Sequence, residues 1–449
     1  HEISFPEPKE AKLENGLRVI MVERPSLPLL AAHLLVRSGS EVDPENLAGA
    51  ASMTGSLLTR GTGKRTAPEI ARAIESLGGS IESGARWDSS GATVIVMSDK
   101  ADAALEILSD VVLHPTFKPE EIDRLKNQTL DGLRVALQEP GSLARFVTAR
   151  VVFGSSEYGH ASSGTPETVQ AIQRDDIEKL YKRYYTPNNA ALILVGNVTV
   201  EQGRAYAEKY FGGWKNDQAA AVEKSSAVTP DTKPKNVVID MAQAGQAAVT
   251  VGKPAITRNS PDYYTGLVTN AALGTGFVSR LNNEIRIKRG LSYGARSAID
   301  ARRGVGPFVA SAQTKNESAA EVATLLQSEL KRLVTEPVQG EELKSRQAVL
   351  TGGYARSLET NAGYVAQVAG LATHDLALDT LSKFIPSINA VKTEDVTAFA
   401  TKYFGTPPSL IVVGKAAEFL EALKKNFADI TVIGQSDLDL NRPDLKKAK

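Results

Sequence analysis

Residues 183–197 read RYYTPNNAALILVGN: an aromatic pair, a Pro/Asn turn, then an apolar run closing on Gly196. Residues 402–415, KYFGTPPSLIVVGK, repeat that arrangement and close on Gly414, 218 residues later. A second matching pair lies upstream. Pro115-Thr116-Phe117-Lys118-Pro119-Glu120-Glu121 introduces a long helical pattern, and Pro337-Val338-Gln339-Gly340-Glu341-Glu342 introduces another at an offset of 222. Two matches in one order at nearly one offset argue for duplicated domains of about 210 residues each.

Between the copies, residues 215–236 read KNDQAAAVEKSSAVTPDTKPKN, with no sustained apolar period, and this marks a linker. The expected division is a domain at 1–214, a linker at 215–236 and a second domain at 237–449. The last residues form a polar, Lys-rich tail expected to fray. Within the first copy, Leu17 to Val22, Pro28 to Ser38, Ser80 to Arg86, Gly91 to Met97 and Ala190 to Val195 read as strands. A helix is expected from about Leu47 to Leu58. Another opens at Thr66, carries Ile70, Ile74 and Leu77 on one stripe, and stops at Gly78-Gly79. Tight turns between adjacent strands predict an α+β fold: two homologous domains, each an antiparallel-rich mixed sheet with helices packed on one face.

Composition narrows the function. The 449 residues carry 52 Lys+Arg and 52 Asp+Glu, a formal charge of zero, which excludes the electrostatic footprint of a nucleic-acid-binding protein. Cysteine is absent, so disulfides, thiolate nucleophiles and Cys-ligated metals are excluded, and an oxidising compartment suits the chain. No apolar run approaches the roughly 20 residues needed to span a bilayer. The chain begins at His1 and not Met, so a processed amino terminus is expected and secretion stays open. The five histidines (His1, His33, His114, His160 and His374) are too far apart for any helical pair to hold one metal. His33 is expected as a hydrogen-bonded strand residue.

Ala272 to Ile299, ALGTGFVSRLNNEIRIKRGLSYGARSAI, is the segment richest in chemistry. Gly274 and Gly276 form a flexible entry to a helix with Phe277, Leu281 and Ile285 on one buried face. Arg286, Lys288 and Arg289 crowd its last turn, and Gly290 stops it. Leu291 to Ile299 then reads as a strand. Arg286 at the helix end and Tyr293 at the strand start are placed so that their side chains could converge; a surface charge and a half-buried strand aromatic are the alternative.

This segment resembles the second-domain signature of the pitrilysin/insulinase-like zinc metallopeptidases, in the two-domain subfamily that includes the mitochondrial processing peptidase and its bacterial relatives. The Arg37 to Ser40 turn, Gly61-Thr62, Tyr158-Gly159-His160 with Gly164-Thr165, and the V-G-N ending at Asn197 agree with that resemblance. Active members carry H-x-x-E-H before the Gly-Thr, which supplies two zinc ligands and a general base from one helical face. Here those positions hold Ser52, Gly55 and Ser56, and the region of the family's third ligand offers only Asp131. The resemblance therefore implies no metal on this chain and no peptide hydrolysis by it alone.

What the resemblance keeps is the opposite half of the site. It implies that Arg286 and Tyr293 are contributed to the site of a zinc-bearing homologous peptidase subunit, with Gly274 and Gly276 also on the substrate side. The chain would be the noncatalytic subunit of a heterodimeric zinc metalloendopeptidase, with zinc on the partner subunit and a peptide as substrate. A homodimer is the alternative assembly. A structural or peptide-binding homologue without a role in proteolysis, similar to the inactive core subunits of respiratory complexes, is the alternative function. The expected compartment is the periplasm, with the mitochondrial matrix or cytoplasm as alternatives.

Overall fold

The computed structural model describes residues 5–215, 229–230 and 232–449, so most of the linker expected at 215–236 lies outside the described residues. The first sheet holds β1 (Lys9–Lys12), β2 (Arg18–Glu23), β3 (Leu29–Val36), β4 (Ser80–Ala85), β5 (Ser90–Met97) and β6 (Ala190–Gly196), in the order β1-β2-β6-β3-β5-β4. The second holds β7 (Asn236–Asp240), β8 (Ala247–Pro254), β9 (Ala295–Ile299), β10 (Pro307–Thr314), β11 (Ser409–Gly414) and β12 (Ile430–Gly434), in the order β12-β7-β11-β8-β10-β9. The run β2-β6-β3-β5-β4 and the run β7-β11-β8-β10-β9 are the same path. In each, the first pair is parallel and the other three are antiparallel. The duplication read from the apolar runs is thus a duplication of topology, and the α+β expectation holds.

β6 and β11, the two runs that revealed the repeat, are buried at every residue. A strand reads as a continuous apolar run when both of its faces are covered. The second sheet shows how. On one face Val238, Val249, Val251, Leu410 and Val412 pack with Ala272 and Leu273, Val322 and Leu326, and Phe399 and Ala400, from helices Tyr263–Gly274, Ala319–Thr335 and Thr393–Phe404. The alternate residues Val237, Ile239, Ala248, Ile411 and Val413 meet Leu143, Ala144, Val147 and Val151 of helix Pro140–Phe153. Besides the expected helical layer, then, a single helix covers the other face.

That helix comes from the first half of the sequence. Among the described residues, one compact unit gathers those within 1–131, 162–224 and 354–383, and the other those within 132–161, 225–353 and 384–449. The exchange is reciprocal. Helix Asn361–Thr373 packs on β3 and β6, Arg24 donates to the Asn361 side-chain carboxamide oxygen at 2.8 Å, and the Tyr364 hydroxyl donates to the Pro6 carbonyl at 2.7 Å.

The carboxy-terminal tail is docked as far as Leu445, and the Lys-rich end at 446–449, where fraying was expected, is exposed. Leu445 is buried, Leu438 and Leu440 pack against the same cluster as helix Pro140–Phe153, and Arg150 donates to the Leu440 carbonyl at 3.2 Å. Three leucines anchor a segment whose average polarity hides them. Among the described residues, no helix is long and apolar enough to cross a membrane.

Candidate functional site

Helix Tyr263–Gly274 ends against β9. A Cβ on Gly274 would lie 2.3 Å from the Ser297 backbone nitrogen, and Gly274 is buried. Its smallness serves helix–strand packing. Gly276 is different: it is exposed, takes φ +80°, and has open space beside it. Only glycine adopts that conformation without strain.

Ser279 caps the next helix, with its hydroxyl accepting from the Asn282 backbone N–H. The cap leaves Phe277 and Val278 outside the helix. Leu281 and Ile285 are fully buried as expected, but Phe277 is not; it is 61% exposed. The helix itself is one turn, Arg280–Asn282, which widens into a π-turn over Asn283–Ile287, where Lys288 N–H reaches the Asn283 carbonyl at 2.9 Å. β9 begins only at Ala295, so Leu291 to Gly294 form a loop and not the strand start that was expected.

Buried polar side chains fix this loop–turn–loop. The Asn282 carboxamide donates to the Phe277 carbonyl at 2.7 Å and accepts from the Ala295 N–H at 3.4 Å, joining the two loops. Glu284, nearly buried, accepts from Lys288 at 2.6 Å and Arg289 at 2.7 Å, with Arg332 at 3.4 Å. Burial opposes ionisation of this carboxyl, but the hydrogen bonds from Lys288 and Arg289 prevail and hold it below the ordinary range. Glu329, bonded to Arg332 at 2.7 Å, is shifted the other way because its burial outweighs that bond.

Two of the three cations of the turn are therefore neutralised by one carboxylate. Arg286 is the third. Its guanidinium lies 5.3 Å from the centre of the Phe277 ring, and it has no carboxylate partner among the described residues. Tyr293 is 89% exposed. Sequence reasoning placed Phe277 on the buried face and did not single out Val278, Asn282 or Glu284; a serine at 279, a favoured N-cap residue, was the available signal that Phe277 lies outside the helix.

Ser52, Gly55 and Ser56 fall on helix Ala50–Leu57, with the expected i, i+3, i+4 spacing. Two hydroxyls and a glycine are not a zinc donor set, and Asp131 lies on the separate helix Pro119–Ala136. Packing closes the matter at the central position. A Cβ on Gly55 would lie 2.6 Å from the carbonyl carbon and oxygen of Gly84 in β4, closer than real side chains approach backbone. The residues present do not fit a zinc ion. Among the described residues no group of three His, Asp or Glu could hold a metal.

The other segments that carried the resemblance have structural places. Gly49, at φ +98°, abuts Gly164, and Thr168 donates to the Ala48 carbonyl at 2.9 Å, which pins the start of helix Ala50–Leu57. Tyr158 is buried beneath the Arg302 guanidinium and accepts from the Gly304 N–H at 3.1 Å. His33 is hydrogen-bonded to Thr93; its removal from water, assisted by the Arg86 cation, lowers its pKa to about 4, so it is a neutral strand residue.

Comparison with known proteins agrees with this geometry. Residues 18–152 match the insulinase (peptidase family M16) model, and residues 171–350 match the peptidase M16 inactive domain model. An uncharacterized zinc protease of Streptomyces coelicolor is 25% identical over 410 residues, 90% of this chain and 89% of that protein. One from Bacillus subtilis is 22% identical over 90% of this chain and 98% of that protein. Among solved structures, the peptidase M16 inactive domain from Pseudomonas fluorescens has a TM-score of 0.84 at 28% identity, covering 91% of this chain and 98% of that one. A Helicobacter pylori protease superposes with a TM-score of 0.86 at 19% identity, over 92% of this chain and all of that one. The chain belongs to the insulinase-like peptidase M16 family.

Proposed function

We propose that this chain is the noncatalytic subunit of a heterodimeric zinc metalloendopeptidase. A zinc-bearing homologous subunit supplies the metal and the general base. This chain supplies Arg286 and Tyr293, whose guanidinium and hydroxyl donate hydrogen bonds to a peptide carbonyl and to the oxyanion formed when it is attacked. Gly276, exposed and without a side chain, lets the peptide backbone approach.

One observation carries the reading. Glu284 ties up Lys288 and Arg289, leaving Arg286 as the turn's cation without a carboxylate, and Tyr293 is exposed in the loop that follows the turn. A chain that has closed its own metal position while keeping these donors presented suits a subunit that completes another's site. We place the complex in the periplasm, where a Cys-free chain is at no risk of disulfide error.

The test is reconstitution with a zinc-bearing M16 homologue from the same cell and an unfolded peptide substrate. The mixture is expected to cleave where this chain alone does not. Arg286→Ala or Tyr293→Phe is expected to slow cleavage by roughly 100- to 1000-fold, the range for loss of an oxyanion donor. Cleavage at the wild-type rate by both variants would overturn the assigned roles. Stable assembly without any cleavage would favour a structural or peptide-binding homologue.

A further inference from the structure

The two exchanged helices are weak helices in their own right. Asn361–Thr373 has 13 residues and Pro140–Phe153 has 14, lengths at which an isolated helix is marginal in water. Gly370 sits inside the first with open space beside it, and Val147, Thr148, Val151 and Val152 load the second with β-branched side chains; both features disfavour helix. Each segment is therefore helical because it is docked, and undocking melts it.

In each unit a terminal segment closes over the docked helix. In the first unit the Phe5 ring meets the Tyr354 ring edge-on at 6.0 Å, Pro8 is buried, and the Pro6 carbonyl accepts from the Tyr364 hydroxyl at 2.7 Å. Tyr364 is fully buried, and burial pushes its pKa up to about 12, so its hydroxyl stays protonated and needs an acceptor. Pro6 supplies it. In the second unit the chain doubles back: Leu438 bridges Lys446, and the Asp439 N–H reaches the Leu445 carbonyl at 2.8 Å. Leu445 takes φ +61°, a left-handed conformation unfavourable to any residue with a Cβ, and its side chain is buried with Leu143, Val147 and Val151. Strain of this kind persists only where packing holds it. Leu438 and Leu440 join the same cluster, and the Leu440 carbonyl accepts from Arg150 at 3.2 Å.

We infer that residues 5–8 and 438–446 are two latches, each holding one exchanged helix on its own sheet, so that releasing a latch opens that helix alone. The first works through one buried hydroxyl and an aromatic edge, the second through leucines and a strained backbone. In the second unit, opening uncovers Val237, Ile239, Ile411 and Val413, while the helices on the opposite face keep Val238, Val249 and Val412 covered. The unit opens locally and does not unfold.

Amide hydrogen exchange of the full chain, followed by mass spectrometry, tests this. Phe5→Ser removes the ring that seats the first latch without altering helix Asn361–Thr373, and Tyr364→Phe removes the hydrogen bond itself. Each is expected to speed exchange within 361–373 by roughly fivefold, the worth of one ring contact or one hydrogen bond, and to leave 140–153 unchanged. Leu445→Ser, and separately removal of residues 438–449, are expected to speed exchange within 140–153 by at least about tenfold and to leave 361–373 unchanged. In every variant β6 and β11 are expected to keep their protection.

Unaltered exchange in the helix beneath either latch would overturn the inference. So would equal acceleration of both helices, or of β6 and β11 along with them, since the segments would then be ordinary parts of one cooperative core. The readout needs neither a partner nor proteolysis, so its outcome is separate from that of reconstitution.

Discussion

Gly55 shows how much one residue can settle. In a helix a glycine costs about 1 kcal/mol relative to alanine, so its presence in the middle of Ala50–Leu57 calls for a reason. The reason is the backbone of β4, which leaves no room for a Cβ. Gly55→Ala is therefore expected to destabilise the chain by about 1–3 kcal/mol, the cost of overpacking, although alanine is the better helix former. Denaturant unfolding checks this, and an unchanged or raised midpoint would mean that helix and strand can separate. The same contact leaves no room for a glutamate at this position.

At the scale of an element, the π-turn at Asn283–Ile287 is held by Glu284 more than by its own ladder. Glu284→Gln leaves Lys288 without its carboxylate and Arg289 with only Glu321, at 4.0 Å, while Arg332 keeps Glu329 and Glu336. A loss of about 1–3 kcal/mol is expected at neutral pH, as for charge-assisted hydrogen bonds. Its pH dependence identifies the cause. The folded-state carboxyl titrates below its ordinary value of 4.5, so its contribution is present above that value and disappears as pH falls through the folded-state pKa. Wild type and variant should therefore converge in stability in acid, measured by unfolding at a series of pH values. A difference that persists there would assign Glu284 a packing role instead.

For the whole molecule, the exchange of helices Pro140–Phe153 and Asn361–Thr373 means that neither half of the sequence contains a complete unit. Residues 237–449 alone would expose the sheet face of Val237, Ile239, Ile411 and Val413, which Leu143, Val147 and Val151 cover in the intact chain. Apolar burial contributes about 25 cal/mol per Å², so uncovering a sheet face removes a large share of a marginal stability. Expressed separately, 1–214 and 237–449 are expected to aggregate, and expressed together to yield soluble complex. Two independently soluble, cooperatively melting halves would contradict this.

The sequence by itself determined the duplicated sheets, because a strand buried on both faces must be a continuous apolar run, and two such runs stood in matching context. It determined the helix start at Thr66, which depends on residue type at short spacing. Only the tertiary structure decided that Gly274 is a packing residue, that Phe277 faces outward, that Glu284 singles out Arg286, and that one helix of each half completes the other's unit. Those outcomes depend on contacts between residues distant along the chain, such as Gly55 with Gly84 or Leu143 with Ile411, and no local period records them.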